Sequence, residues 1–312
     1  MDSPAAIAGR ERGAPAVHEV ADHVYAYVQP DGGWCLNNAG IVAGGTETMV
    51  IDTAATEART RRLSRTVEEI CGAPPKTVVN THHHGDHTHG NSMFAAGATI
   101  IGHERARTEI AAKGLGLTAV WPEVEWGRLT VTPPTVTFTD RLTVHVGETE
   151  VRLRYVGPAH TTNDIVAWLP RQRVLFAGDV VLAGATPFCL MGSVAGTLDA
   201  LRSLRELGAR TVVPGHGPVC GPEVFDVTEN YLRWLQRIAA AGVAAGLTPA
   251  QLAADTDLGE FAGLTEPERL VANLHRAYAE LRGEPRGTHI ASAPVFAEMT
   301  RYHGGRTLTC HA

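Results

Sequence analysis

The sequence predicts an α/β protein that ends in a wholly helical region. Short runs rich in β-branched residues recur between residues 24 and 213, and segments with helical periodicity separate several of them. After Pro222 only helical periodicity remains. A third observation concerns residues 81–90, where five histidines and one aspartate directly follow a β-branched run at 76–80. Because a rigid scaffold often presents functional groups on a loop at the end of a strand, we expect the functional site there.

The first half of the chain alternates predicted strands with predicted helices. Residues 1–16 are rich in Ala, Gly, Pro and charge, and we expect them to form a loose tail. Strands are predicted at 24–28, 38–42, 48–52, 76–80 and 99–101, and helices at 56–71 and 104–113. The turn residues at 30–33 join the first two strands into a hairpin. Residues 114–136 lack a regular pattern and include Trp121 and Trp126, which indicates a packed surface loop or a lid.

The second half returns to strands before it becomes helical. Strands are predicted at 135–138, 142–146, 151–156, 165–169, 174–177 and 211–213, with a helix at 197–207 before the last of them. Helices follow at 223–244, 249–255, 267–282 and 292–302. We therefore expect a core at residues 17–221, with the helices of residues 222–312 packed on the same domain.

The bulk composition limits the class of protein. Of the 312 residues, 44% are hydrophobic and 19% are charged, as in an ordinary soluble globular protein. No apolar run approaches the length of a membrane span, and a net charge of −6 disfavours a general nucleic-acid binder, so we expect neither partner. The five cysteines are odd in number and scattered, and the N-terminus shows no secretory signal. We therefore expect a cytoplasmic protein with reduced thiols.

The histidine-rich segment has the composition of a metal site. His82 and His84 are two residues apart, so an extended backbone directs both rings to one side. Gly85 is expected to adopt a positive φ and to turn the chain sharply before Asp86 and His87. Four such ligands from six residues are too crowded for one tetrahedral ion, and two metal ions fit better. Imidazole and carboxylate donors favour a borderline divalent metal, with zinc first.

Three later positions share one pattern. His160, Asp179 and His216 each end a segment in which a predicted strand is followed by a glycine, and each is a residue type that binds metals. Taken alone, each has an ordinary interpretation as a solvated loop histidine or a Gly-Asp turn. Their repetition downstream of the histidine-rich segment indicates that all three belong to the same site.

These motifs together resemble those of the metallo-β-lactamase superfamily over about residues 17–221. The resemblance implies an αβ/βα sandwich, in which two mixed β-sheets lie face to face and are flanked by helices, here with a helical C-terminal extension. It also implies two divalent metal ions per chain, zinc by preference. Their ligands would be His82, His84 and His160 for one ion, Asp86, His87 and His216 for the other, and Asp179 as a bridge.

The resemblance also assigns roles to three aspartates. Asp52, at the end of a strand, matches an aspartate that supports the ligands from outside. Asp179 and Asp86 are the predicted catalytic carboxylates, and Asp179 either orients a water molecule and accepts a proton or acts only as a ligand. The thioesterase, lactonase and glyoxalase II branches carry an aspartate at the position of Asp179, whereas the secreted β-lactamases use other groups.

A closer resemblance extends over nearly the whole chain. It rests on the stretches at 32–35, 38–41, 81–90, 121–122, 126–127, 157–160, 186–188, 192–198, 231–234 and 270–276. These are similar to the second-ring cyclases of aromatic (type II) polyketide pathways, of the actinorhodin type. The resemblance implies an enzyme that accepts a polyketide from an acyl carrier protein, closes its second ring and hydrolyses the thioester. His83 departs from the pattern, because relatives often carry Phe or another residue there.

An aromatic polyketide needs an apolar pocket beside the metals. Trp34, Trp121, Trp126 and Phe188 lie in loop-like stretches and are either walls of such a pocket or core residues. Two other functions fit parts of the sequence. One is a hydrolase of small thioesters or lactones of the glyoxalase II type, which the aromatic loops disfavour. The other is a non-catalytic metal-binding or carrier-binding scaffold, which the complete ligand set disfavours.

Overall fold

The first sheet is mixed, and the histidine-rich segment follows the end of one of its strands. The computed structural model describes residues 13–312, so residues 1–12 of the expected tail lie outside the described residues. Within that range the sheet contains, in spatial and chain order, β1 Ala16–Ala21, β2 Val24–Val28, β3 Ala39–Gly44, β4 Glu47–Ile51, β5 Thr77–Val79, β6 Thr99–His103 and β7 Val136–Phe138. Strands β1 to β4 pair antiparallel and β4 to β7 pair parallel.

Helices form the crossovers that parallel neighbours require. Helix α1 (Glu57–Cys71) joins β4 to β5, and α4 (Glu104–Lys113) follows β6. Between β5 and β6 lie two single-turn helices, α2 (Gly85–Thr88) and α3 (Asn91–Phe94). The side chain of Thr56 accepts a hydrogen bond from the Arg59 backbone and so begins α1, as an N-cap residue does.

The second sheet is also mixed and contributes the remaining strand ends. Its order is β12-β11-β10-β9-β8 within the described residues. The strands are β8 Arg141–Val146, β9 Thr149–Tyr155, β10 Ile165–Leu169, β11 Val174–Gly178 and β12 Thr211–Pro214. Strands β11 and β12 are parallel, with α5 (Val194–Arg205) in the crossover, and the other pairs are antiparallel.

The core follows the two-residue period of the strands. In β10, Ile165, Ala167 and Leu169 face the first sheet, in a cluster that also contains residues of β2 to β6. The alternate residues Val166 and Trp168 face the C-terminal helices. Because successive side chains of a strand point to opposite faces, β10 is buried on both sides, which explains its uninterrupted apolar sequence.

The C-terminal helices cover the outer face of the second sheet and hold one loop of the site. They are α6 Val224–Ala244, α7 Pro249–Asp255, α8 Arg269–Leu281 and α9 Ser292–Tyr302. On α8, Asn273 accepts a hydrogen bond from the Cys189 backbone (2.8 Å) and donates to the Pro187 carbonyl (2.7 Å). Arg276 donates to the Leu190 carbonyl at 2.6 Å. The loop that carries Phe188 is therefore fixed by a helix more than eighty residues away in sequence.

The predicted αβ/βα sandwich with a helical C-terminal extension is confirmed. Several elements begin and end where the sequence pattern placed them, including β10, α4, α7 and α9. Strand β1 was not predicted, because its exposed edge position imposes no apolar alternation. No helix among residues 13–312 combines the length and the apolar character that a membrane span needs.

Candidate metal centre

Seven side chains of the histidine and aspartate motifs converge at one edge of the sandwich. They fall into two groups: His82, His84, His160 and Asp179; and Asp86, His87 and His216. The topology explains the convergence. The parallel strands β11 and β12 end at the same edge of the sheet, and the antiparallel strand β10 begins there. The segment after β5 supplies the remaining ligands from the facing sheet.

The first group surrounds one oxygen of Asp179. Oδ2 of this residue lies 3.4 Å from His160 Nε2 and 3.9 Å from His82 Nε2. The Nδ1 atom of His84 faces His160 Nε2 at 2.9 Å. Within this group all the donor atoms lie within 4.8 Å of one another.

The second group is joined to the first through the same carboxylate. Asp86 Oδ2 lies 3.2 Å from His216 Nε2 and 3.7 Å from His87 Nε2. Asp179 Oδ1 lies 3.2 Å from His87 Nε2, and its Oδ2 lies 3.5 Å from His216 Nε2. The carboxylate of Asp179 therefore contacts both groups, as the bridging position requires.

The outer nitrogens of three imidazoles fix which nitrogen faces the centre. The Nδ1 atom of His87 lies 2.8 Å from Asp52 Oδ2, that of His160 lies 2.5 Å from the Phe188 carbonyl, and that of His216 lies 3.1 Å from the Gly33 carbonyl. Carboxylate and carbonyl oxygens only accept hydrogen bonds, so each neutral ring carries its proton on Nδ1. The Nε2 lone pair then faces the centre, which is the arrangement that metal-binding histidines adopt.

Several polar atoms of the centre fit a metal because nothing else satisfies them. Within residues 13–312, His82 Nε2, His87 Nε2 and Asp179 Oδ1 are buried without a hydrogen-bond partner. Buried polar atoms are almost always paired, so three unpaired donor atoms in one centre call for a ligand. Imidazole nitrogens and carboxylate oxygens are the donors that zinc accepts.

The electrostatics of the metal-free chain also favour cations at this place. Burial, together with neighbouring histidines, lowers the pKa of His82 and His84 well below the ordinary value. Burial would also lower the pKa of His216, but the carboxylates of Asp179 and Asp86 raise it to about 9. The pKa of Asp179 lies well below its ordinary value, because His216, His87 and His160 outweigh the effect of its burial. The carboxylates thus hold positive charge between them.

Asp52 supports the centre from the end of β4. It accepts hydrogen bonds from the Thr81 backbone at 2.7 Å and the Thr81 hydroxyl at 2.6 Å, in addition to its contact with His87. Its φ is +60°, a left-handed conformation that aspartate tolerates better than most residues. The supporting role implied by the sequence resemblance thus has a geometric basis here.

Two further residues hold ligand loops, and the sequence motifs did not identify their roles. Asp164 accepts hydrogen bonds from the backbones of Ala159 (3.1 Å) and Thr161 (2.8 Å), and so shapes the loop of His160. Asn38 donates to the carbonyls of Pro214 (2.9 Å) and Gly217 (2.7 Å), on either side of His216. In the sequence, Asp164 and Asn38 are recognisable only as polar residues that lie beside a ligand loop or a buried strand.

The expectation for Gly85 was wrong. It lies in helix α2 rather than in a turn with positive φ. A Cβ atom at this position would collide with the imidazole of His89. Glycine is therefore required by close packing against His89, which also contacts the edge of Trp126 with ring centroids 6.0 Å apart.

Three of the four predicted aromatic wall residues line a small cavity at the centre. This cavity of about 60 Å³ is bordered by Trp34, Trp121 and Phe188, together with ligand residues. Trp126 does not line it, because its indole donates to the Trp121 carbonyl at 3.0 Å and packs behind that residue. Trp121 is itself fully buried and donates to the Leu308 carbonyl at 2.7 Å.

The cavity also has a wall with an arginine, paired with a glutamate, that the sequence motifs did not reveal. Arg269 of α8 is 97% buried and places its guanidinium carbon 4.1 Å from the centroid of the Trp34 ring. It donates to the Thr186 carbonyl at 3.0 Å and pairs with Glu266, whereas its Nε has no hydrogen-bond partner among the described residues. Phe296 of α9 completes this wall, with its ring centroid 6.0 Å from that of Trp34.

The comparison with known families agrees with this geometry. The sequence model of the metallo-β-lactamase superfamily matches residues 32–216, which include all seven residues of the centre. The chain belongs to the metallo-β-lactamase superfamily. The match identifies it as a hydrolase of this superfamily, with a donor set compatible with two metal ions. Helices α6 to α9 lie beyond the matched residues.

Individual relatives support the assignment to the superfamily, but the activities in their names differ. The metallo-β-lactamase type 2 of Bacteroides fragilis is 28% identical over 227 residues, which cover 69% of this chain and 84% of that protein. A hydroxyacylglutathione hydrolase of Rhodospirillum rubrum is 32% identical over 148 residues, and the chain spans only 47% of its length. Among solved structures, a metallo-β-lactamase of Pontibacter korlensis shares the fold with a TM-score of 0.57 and 22% identity, covering 70% of this chain and 99% of that one.

Proposed function

We propose that the protein is a thioesterase and cyclase with two metal ions, which acts on an aromatic polyketide held on an acyl carrier protein. In this proposal the enzyme closes the second ring of the polyketide and hydrolyses the thioester. The observation that carries the hydrolytic part is the carboxylate of Asp179, which contacts both groups of ligands. The polyketide part is supported by the near full-length sequence resemblance.

Two metal ions, zinc by preference, would be held by His82, His84, His160, Asp86, His87, His216 and the shared Asp179. Ions in such a site supply Lewis acidity and lower the pKa of water to about 7. Asp179 Oδ1 lacks a hydrogen-bond partner among residues 13–312 and is free to accept one from a water molecule. The low pKa of Asp179 keeps its carboxylate ionised at neutral pH. The carboxylate therefore orients the water molecule but is a poor acceptor for the water proton. Asp86 contributes the second negative charge of the centre.

The walls of the cavity supply the remaining functions. The guanidinium of Arg269 is placed to attract negative charge that develops on a carbonyl oxygen of the substrate. The rings of Trp34 and Phe188, with centroids 5.5 Å apart, exclude water from one side of the cavity. An excluded, low-dielectric environment strengthens each of these electrostatic interactions.

The second candidate function is hydrolysis of a small thioester or ester, of the glyoxalase II or lactonase type. The match to the hydroxyacylglutathione hydrolase of Rhodospirillum rubrum favours it. The seven ligand residues of the centre would serve either reaction. The two functions share hydrolysis of the thioester and differ in the size of the acyl group and in the ring closure that only the first includes.

A substrate panel separates the two functions. The purified, zinc-loaded protein is assayed with an aryl-polyketide thioester of N-acetylcysteamine, S-lactoylglutathione, a simple lactone and a β-lactam, each with and without chelator. We expect the highest kcat/KM for the polyketide thioester, release of a cyclised free acid, and loss of activity with chelator that zinc restores. A preference for S-lactoylglutathione would establish the second function instead. Absence of thioester hydrolysis by the metal-loaded protein would overturn the proposal.

A further inference from the structure

A second, larger cavity adjoins the metal centre. It is a groove of about 550 Å³ between the segment that follows α4 and helix α9. Four residues border both this groove and the small cavity: His84, Leu117, Met191 and Phe296. The two spaces therefore adjoin each other at the metal ligand His84.

The volumes decide which part of a substrate each space can hold. The cavity at the centre has only about 60 Å³. It has room for a reacting carbonyl and little more. The groove, at about 550 Å³, lies in the range of about 300–1,000 Å³ that is typical of sites for small organic ligands.

The lining of the groove indicates the chemistry of its occupant. Its walls are formed mainly by the apolar side chains Leu117, Val120, Ala293, Phe296, Ala297 and Leu308. Polar side chains lie among them at seven positions: His83, His84, His89, Lys113, Ser292, Thr300 and Thr307. Lys113 is paired with Glu109 at 3.6 Å. A groove of this composition stabilises an apolar acyl body rather than a polar amide arm.

We infer that this groove binds the acyl body of the thioester while its carbonyl occupies the small cavity, so that α9 determines the size of the acyl group. The inference rests on the proposed function and adds the site of substrate recognition. It also revises the expected pocket, because Trp34, Trp121, Trp126 and Phe188 do not line the groove. The specificity-determining residues are those of α9, in the C-terminal extension beyond the superfamily match.

Helix α9 offers positions at which this can be tested. Ala293, Ala297 and Thr300 follow one another at intervals of four and three residues and therefore share one face, which borders the groove. Ala293 and Ala297 are exposed to the groove rather than packed in the core, so the fold can accept a larger side chain at either position. An indole at Ala297 would fill space that the acyl body needs.

The experiment compares Ala297→Trp and Ala293→Phe with the wild type. Ala291→Trp is the matched control, because Ala291 is exposed at the start of α9 and does not border the groove. One substrate series varies the acyl group from acetyl to polycyclic aryl on N-acetylcysteamine, and the other keeps acetyl and replaces N-acetylcysteamine with pantetheine. We expect both groove variants to lower the ratio of kcat/KM for polycyclic acyl to that for acetyl by at least about tenfold, with no such change in the control.

Three outcomes overturn the inference. The groove variants can lower kcat/KM for all acyl groups equally, they can leave every ratio as in the wild type, or their effect can follow the thiol rather than the acyl group. A second measurement is independent of turnover: binding of the free polycyclic acid, followed by tryptophan fluorescence, should weaken at least about tenfold in both groove variants. If the wild type hydrolyses no thioester, the proposed function fails, and unweakened binding of the acid would separately reject the groove as its site.

Discussion

Replacing Asp179 with asparagine should lower kcat/KM for a thioester by more than about 100-fold and leave the fold intact. Changes to residues that only support metal ligands cost about 10- to 100-fold, and a ligand shared by two ions should cost more. The two oxygens of Asp179 face His87 Nε2 at 3.2 Å and His160 Nε2 at 3.4 Å. Asparagine keeps the shape but removes the charge, and its amide directs a donor at one of these nitrogens.

The control for this variant is an exposed aspartate of the same chain. Asp140→Asn removes one carboxylate at a side chain that is 77% exposed and outside the centre. Steady-state kinetics, circular dichroism and zinc content are measured for both variants. We expect a selective loss of activity and of bound zinc in Asp179→Asn. Wild-type kinetics in that variant would show that Asp179 does not bridge two ions.

Replacing Asp52 with asparagine should also impair the centre, although Asp52 is no ligand. In the native chain its Oδ2 accepts the Nδ1 proton of His87 at 2.8 Å, which leaves the Nε2 lone pair for a metal. An asparagine amide at that place donates to Nδ1 instead and stabilises the opposite tautomer, with the proton on Nε2. We expect a loss of about 10- to 100-fold in metal affinity or activity.

Nuclear magnetic resonance of the imidazole nitrogens reads this effect directly. Asparagine tolerates the left-handed backbone of Asp52, so the variant isolates the tautomer from backbone strain. The expected spectrum shows His87 protonated on Nε2 in the metal-free variant and a reduced zinc content after loading. If His87 keeps its proton on Nδ1 and the variant binds zinc like the wild type, the proposed role of Asp52 is wrong.

The sequence predicted those parts of the molecule whose signals are local. Strand β10 is five consecutive buried residues, and its apolar run is readable without any knowledge of its neighbours. The residues that converge on the centre are similarly readable, because His160, Asp179 and His216 each follow a strand that ends in turn residues. Strand ends meet at the edges of sheets, so a local pattern sufficed to predict a three-dimensional cluster.

Features that depend on distant contacts were not predictable in this way. Arg269 and Phe296 enter the cavity from helices that pack against Trp34, more than two hundred residues earlier in the chain. The requirement for glycine at position 85 comes from the ring of His89 and not from the turn that a glycine suggests. Trp126 has the composition of a pocket wall but serves as packing behind Trp121.

The metal content of the purified protein tests the central claim most directly. Three ligands are available for each of two ions, and Asp179 contacts both groups. The wild type, purified without chelator and loaded with zinc, should therefore contain two equivalents per chain. Elemental analysis of His84→Ala and His216→Ala, which each remove a ligand from a different group, should give about one equivalent. A wild-type protein that is fully active with one equivalent or less would contradict the account.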